Sequence, residues 1–326
     1  MSLRIGILSF ANLHAYSYGM AVLSHPGAEL VGMSDHDAYR RRQAAELFEI
    51  PTYATEEELI EQGLDGAIVA SETVLHRSQI EQLAAGGVKA IFCEKPLATS
   101  VADAKAITDC CRKAGVKLAT AFPCRYSPVF RQALKSIRDG KIGSIRAICA
   151  TNRTMYPPGW YADPRWSGGG AVMDQTSHVA DLNWLLLGGE AVDVYAEIGS
   201  VLHRSRSEDA GLLTIGYKND VFSTLDTSWS RPTSYPTWGD VTLQIVGVSG
   251  VVNISLFAQN LVHYSNAGAN WQSWGSSLDR YMIEDFLRTV AGEESELLAT
   301  GLDGLRGVKL LEAAYKSATT GHPVSI

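Results

Sequence analysis

Two textures within one chain predict an α/β domain followed by an α+β domain. Over the first 122 residues, short and continuously apolar runs alternate with helical stretches; beyond Phe122-Pro123, strand-like runs follow one another directly. The length agrees, since 326 residues is about twice the size of a usual single domain. The expected division is therefore 1–122 and 123–326.

In the first part, Leu3–Leu8, Leu30–Ser34, Gly66–Ala70, Ala90–Cys93 and Lys117–Ala121 read as buried strands, with Pro51–Tyr53 as a short extra one. Tyr39–Phe48, Glu56–Gln62, His76–Ala85 and Val101–Ala114 carry helical spacing between them. Strict alternation implies right-handed crossovers and a doubly wound parallel sheet covered on both faces. In the second part, a helix at Pro128–Asp139 leads to a strand at Ser144–Asn152, an aromatic loop from Tyr156 to Trp166, and an amphipathic helix from about Val172 to Leu187. Six strand-like runs follow, Ala191–Leu202, Gly211–Tyr217, Val221–Trp229, Asp240–Val246, Gly250–Ile254 and Asn260–Tyr264, joined by turn signals. They predict a large, mainly antiparallel, open-faced sheet. Leu278–Ala291 and Leu302–Ala318 read as closing helices.

The hydrophobic fraction of 46% and charged fraction of 19% describe a globular chain with a sizeable core. A net charge of −7 disfavours a polyanionic partner such as nucleic acid. No apolar run is long enough to cross a bilayer, and the start lacks a signal-peptide pattern, so a cytoplasmic protein without a membrane partner is expected. The five cysteines form no CxxC pair and the eight histidines lack ligand spacing, so no metal is expected.

In open parallel sheets, ligands bind beyond the carboxyl ends of the strands. The first strand is followed by Ser9-Phe10-Ala11-Asn12-Leu13-His14, where a G-x-G-x-x-G fingerprint would place glycine at 9, 11 and 14. The small residues at 9 and 11 still permit a tight turn into a helix; the segment fits either a dinucleotide site or an ordinary βα turn, and His14 either packs or points into the crevice. Asp35, after the second strand, is either a solvated loop aspartate or an acceptor for both ribose hydroxyls of NAD, which would make NADP the poorer cofactor. Arg40-Arg41-Arg42 suits phosphate binding or, five or more residues on within a helical stretch, an exposed charged face, and the second is the expectation. After the strand ending at Cys93, Glu94-Lys95-Pro96 is either an ordinary surface turn or, because proline stops a paired central strand, a lysine placed at the crevice floor.

The second constellation starts at Gly168-Gly169-Gly170. Asp174 and His178 lie four apart on one helix face, with Asp181 three further on. A histidine flanked by carboxylates suits a general base; the alternative is a helix-start aspartate favoured by the macrodipole beside an incidental histidine.

Together these residues carry a resemblance to the Gfo/Idh/MocA superfamily of nicotinamide-dependent oxidoreductases, which includes inositol dehydrogenases and glucose–fructose oxidoreductase. It runs nearly end to end: Arg4-Ile5-Gly6-Ile7-Leu8, Asp35, His76, Glu94-Lys95-Pro96-Leu97, Arg125-Tyr126-Ser127-Pro128, Gly140-Lys141-Ile142-Gly143, Gly169-Gly170-Ala171 with Asp174 and His178, and Asp303-Gly304 to Gly321-His322-Pro323-Val324. The resemblance implies a Rossmann-type dinucleotide-binding domain, then a substrate-binding domain commonly used for oligomerisation. It implies NAD held by Ser9, Phe10, Ala11, Asn12, Leu13, Asp35, His76, Glu94, Lys95 and Pro96. Lys95 would lie by the nicotinamide and bond the substrate oxygen that changes oxidation state, with His178 as acid/base and Asp174 orienting substrate and base. The departure is the glycine fingerprint.

The implied reaction oxidises a secondary alcohol of a sugar, cyclitol or related polyol. Flat aromatic faces pack on the C–H faces of sugars, so Trp160, Tyr161 and Trp166, with Arg165 and Arg125, are substrate-side candidates; the alternative for the aromatics is plain packing. Trp229, Trp238, Trp271 and Trp274 fall on the sheet half, where some would fill a subunit interface of a homodimer or homotetramer. Two alternatives compete: a non-catalytic sensor on the same fold, and a glycosidase that oxidises its sugar transiently on tightly held NAD.

Overall fold

Strands β1 (Leu3–Leu8), β2 (Ala28–Ser34), β3 (Thr52–Tyr53), β4 (Gly66–Val69), β5 (Ala90–Cys93) and β6 (Lys117–Thr120) form one parallel sheet in the order β3-β2-β1-β4-β5-β6. This is a computed structural model describing residues 2–189, 191–273 and 275–326. Helices α1 (His14–Ser24), α2 (Ala38–Phe48), α3 (Glu56–Ile60), α4 (His76–Ala85) and α5 (Val101–Ala114) make the crossovers. Ile5, Ile7, Leu8, Ile68, Val69, Ile91 and Phe92 are all fully buried, which explains why the strands read as unbroken apolar runs. Helix starts follow local side-chain chemistry: Asp37 accepts from the Tyr39 and Arg40 N–H groups, Thr55 and Glu58 form a reciprocal capping box, and Ser100 accepts from Asp103 N–H. The strand order reverses between β1 and β4, so the crevice for a ligand lies beyond their carboxyl ends.

The second unit starts with α6 (Pro128–Arg138), β7 (Ile145–Met155), the short α7 (Pro164–Ser167) and α8 (Ala171–Leu187). Strands β8 (Ala191–Gly199), β9 (Ala210–Tyr217), β10 (Val221–Arg231), β11 (Gly239–Gly247), β12 (Gly250–Ser255), β13 (Asn260–Ser265) and β14 (Gly268–Ser273) follow. Next come α9 (Leu278–Val290), α10 (Gly301–Thr320) and β15 (Val324–Ser325). The large sheet runs β12-β11-β7-β10-β9-β8-β15; β7 and β10 pair in parallel and the other neighbours antiparallel. One face is covered by Phe130 and Leu134 of α6 and by Val179 and Leu182 of α8, over Ile148, Ile215, Leu225 and Leu243. The opposite face leaves Leu212, Phe222 and Val251 exposed. β13 and β14 pair as a separate hairpin. Trp274, expected on the sheet half, lies outside the described residues, as does the side chain of Trp271.

The chain divides into two units, Met1–Pro123 with Leu278–Val308, and Cys124–Ser277 with Lys309–Ile326. The expected 123–326 domain thus lacks one segment, which belongs with the parallel sheet. The apolar face of α9 explains this: Phe286 packs on Phe92 at 5.4 Å between ring centroids, and Met282 and Ile283 are fully buried. At the β6 edge, Thr120 N–H donates to the Ala299 carbonyl at 2.9 Å. Helix α10 continues from the first unit into the second.

Candidate cofactor and catalytic site

The turn after β1 is made without glycine. Ser9 adopts φ 69°, the left-handed conformation that the first fingerprint glycine would supply. Its hydroxyl donates to Asp35 Oδ2 at 2.8 Å and accepts Ala11 N–H at 3.0 Å. Phe10 N–H also donates to Asp35, at 3.1 Å, while the Phe10 ring packs on Tyr16 and Phe48. Asn12 is buried and its side-chain oxygen accepts His14 N–H at 2.9 Å, whereas Leu13 is half exposed.

Asp35 is more heavily engaged than a free ribose acceptor would be. Arg40 forms a bidentate pair with it, Nε to Oδ2 at 2.8 Å and Nη2 to Oδ1 at 2.9 Å, and Asp37 N–H adds a bond at 2.8 Å. Arg40 also reaches Glu72 at 3.1 Å. Burial works to raise the Asp35 carboxyl, but Arg40 and the N–H groups of Asp37 and Phe10 outweigh it and hold the group below the usual carboxylate range. The expectation that Arg40 belongs to an exposed charged face is thereby corrected: its side chain is 18% exposed and bridges two carboxylates.

Glu94 and Lys95 sit at the end of β5, both buried. The Tyr18 hydroxyl donates to one Glu94 oxygen and the Lys95 N–H to the other at 3.0 Å. Burial pushes the Glu94 carboxyl above its ordinary value, against the pull of His14 and Lys95. His76 is buried with Nδ1 facing the Pro96 and Leu97 carbonyls at 3.2 and 3.3 Å and Nε2 facing the Ser71 carbonyl at 3.3 Å. Burial lowers its imidazole to about 4, so it is neutral at pH 7. A neutral imidazole has one N–H, so it donates on one side only, to the loop after β4 or to the loop after β5.

In the second unit, α8 carries Asp174 and His178 on successive turns, with His178 9% exposed. Asp174 Oδ2 accepts from Trp229 Nε1 at 3.3 Å and from the Gln175 amide. Trp229 is fully buried and supports Asp174 instead of facing a subunit partner; Trp238 is half exposed. The helix start is fixed by Glu208, whose Oε1 accepts Gly170 N–H at 2.7 Å, Val172 N–H at 3.2 Å and the Tyr315 hydroxyl at 2.5 Å. Arg125 and Asp181 form a buried bidentate pair, with Nε to Oδ2 at 2.6 Å. Both are thus held within the protein, and the Arg125 guanidinium is committed to a carboxylate of its own unit. Trp160 and Tyr161 stack at 4.1 Å, Trp166 is partly exposed, and Arg165 pairs with Asp163 at the surface.

Sequence reasoning missed the Arg40 bridge, Glu208, the support from Trp229, and an ion pair between His14 and Asp279 at 2.8 Å. The Arg40 bridge had a local signal, an arginine one helical turn after an aspartate-capped start. The pairing of His14 with Asp279 spans 265 positions and had none.

The residues fit a bound dinucleotide: the sheet reverses order at the right place, the turn after β1 is tight, and a buried aspartate ends β2. A nucleotide-binding parallel sheet followed by a mixed sheet with an Asp/His helix defines the class, a nicotinamide-dependent oxidoreductase. A model described as an oxidoreductase family with an NAD-binding Rossmann fold matches residues 3–122, and the C-terminal-domain model of the same family matches 130–253. The chain belongs to the Gfo/Idh/MocA family. It is 27% identical to the uncharacterized oxidoreductase YrbE of Bacillus subtilis, over 92% of this chain and 90% of that one. It is likewise 27% identical to a myo-inositol 2-dehydrogenase of Thermotoga maritima, over 99% and 98%. Among solved structures, a probable dehydrogenase from Thermotoga maritima matches with TM-score 0.85 and 25% identity over 99% of this chain and 98% of that one. GenD2 from gentamicin A biosynthesis shares the fold, with TM-score 0.91 and 22% identity over 100% and 96%.

Proposed function

We propose that this oxidoreductase transfers hydride between NAD and a secondary alcohol of a sugar, cyclitol or related polyol, with Lys95 and His178 at the reaction centre. The observation that carries the reading is Lys95, buried beside Glu94 at the carboxyl end of a central parallel strand, where this sheet topology puts its ligands. The names of similar proteins support the substrate class: inositol 2-dehydrogenases of Thermotoga maritima and Rhizobium meliloti, and a D-apiose dehydrogenase of Paraburkholderia graminis.

NAD, when bound, supplies the acceptor for the hydride that leaves the carbinol carbon. His178 accepts the hydroxyl proton, and the Lys95 ammonium stabilises the negative charge that develops on the oxygen. Asp174, itself held by Trp229, orients substrate and base. Ser9, Phe10, Ala11, Asn12, Leu13 and Asp35 shape the nucleotide end of the site, and the stacked Trp160 and Tyr161, with Arg165 and Trp166, supply the sugar-facing surface. Arg125 acts through Asp181. The free cysteines support a cytoplasmic setting, and exposed Leu212 and Phe222 on the open sheet face support a homodimer or homotetramer.

The test is a panel of myo-inositol, scyllo-inositol, D-apiose and related polyols, read as NADH absorbance. Formation of NADH with at least one of them is expected. Tight NADH binding without turnover on any would overturn the dehydrogenase reading in favour of a sensor. Release of an aglycone without net NADH would favour a glycosidase.

A further inference from the structure

The turn after β1 has already committed donors that a glycine fingerprint would direct at a pyrophosphate. Phe10 N–H goes to Asp35, Ala11 N–H to the Ser9 hydroxyl, and His14 N–H to the Asn12 side chain. Where the fingerprint has its third glycine stands His14. Its Nδ1 meets Asp279 Oδ2 at 2.8 Å, Ser17 Oγ donates to the same oxygen at 2.5 Å, and the Tyr18 ring stacks on the imidazole at 5.9 Å. The ring is therefore gripped on one side, yet 42% of the side chain is exposed. A protonated imidazole donates from both nitrogens, so with Nδ1 committed to Asp279 it keeps Nε2 as a second donor.

We propose that His14, oriented by Asp279, binds the pyrophosphate of the dinucleotide, a side chain doing what backbone N–H groups do in a glycine-rich turn. This rests on the NAD-binding assignment and is independent of the polyol reaction. The charged groups facing the imidazole are Asp279 from α9, and Glu94 and Lys95 from the segment after β5. Loss of water on the Asp279 side of the ring acts to lower the His14 imidazole, although 42% of the side chain stays exposed; Asp279 and Glu94 outweigh this and raise it to about 9, with Lys95 opposing. The cation is thus present at neutral pH. Binding of an anion is full below that value and declines as pH rises through it.

The experiment titrates the full-length protein with NADH, ADP-ribose and adenosine, in wild type, His14→Gln and Asp279→Asn, between pH 7 and about 10. His14→Gln should weaken NADH and ADP-ribose about tenfold and leave adenosine unchanged. Wild-type affinity for ADP-ribose should fall as pH passes about 9; His14→Gln should lack that step, and Asp279→Asn should move it to lower pH. If His14→Gln does not fold, the displaced step in Asp279→Asn still decides. Equal ADP-ribose affinity in wild type and His14→Gln, a loss shared with adenosine, or an unmoved step in Asp279→Asn overturns the proposal while leaving NAD binding intact. A wild-type protein that binds no NADH overturns both.

Discussion

Ser9 shows how one side chain can stand in for a glycine. Left-handed backbone costs an L-residue about 1 kcal/mol, and the serine offsets this with a hydroxyl that bonds Asp35 and accepts the N–H two residues on. The carboxylate of Asp35 is the hub, receiving the Ser9 hydroxyl, two backbone N–H groups and both arms of Arg40. Removing its charge leaves the Arg40 cation short of one of its two carboxylates, so Asp35→Asn should cost about 3 kcal/mol at pH 7. The sign of the pH dependence follows from the lowered carboxyl. Its contribution is fully present above the unfolded value of 3.8 and is lost as pH falls through the lower folded value. Melting of the two proteins across pH 2 to 7 checks this: the difference in Tm should shrink only in the acid range below about 4. A constant difference would mean that Asp35 stabilises by shape and not by charge.

At the scale of elements, the start of α8 is set by close packing as much as by capping. Gly170 lies so near the segment leading into β9 that an added Cβ would meet the Glu208 carbonyl oxygen at 1.8 Å, and Gly169 faces the Tyr315 hydroxyl. That approach lets the Glu208 carboxylate accept the Gly170 and Val172 N–H groups, an anion at the positive end of the helix that carries Asp174 and His178. Gly170→Ala should therefore cost about 2 kcal/mol or more, because backbone has to move. Thermal unfolding reads the loss, and a variant as stable as wild type would contradict it. The GGG run was legible as a helix start, and Asp174 with His178 as one face of that helix, since both depend on local spacing. Glu208 and Tyr315 were not legible, because they reach the helix from positions 38 and more residues away.

Across the whole molecule, the parallel sheet was legible nearly strand by strand, including the two-residue β3, because buried parallel strands announce themselves as apolar runs between helices. The mixed sheet was read as mainly antiparallel; the parallel pairing of β7 with β10 and the edge strand β15 were not visible. Such pairings are decided by packing over long separations, which no local pattern records. The same reason hid the return of Leu278–Val308 to the first unit, and with it Asp279. The placement of the candidate residues was legible unevenly. That Lys95 follows a strand end and that Asp174 and His178 share a helix face could be read, whereas Arg125 and Arg40 turn inward to buried carboxylates that only the fold supplies.

Lys95 and His178 are proposed to act on one hydroxyl. A double-mutant cycle on kcat/KM with Lys95→Met and His178→Asn tests it, using a substrate found in the polyol panel and monitoring NADH affinity alongside. Each single variant should lose roughly 10²- to 10⁴-fold in turnover, His178→Asn with NADH affinity nearly unchanged, and the double variant should lose little more than the worse single. Losses that multiply, or a His178→Asn loss that falls equally on NADH binding, would show that the two residues do not share a reaction centre.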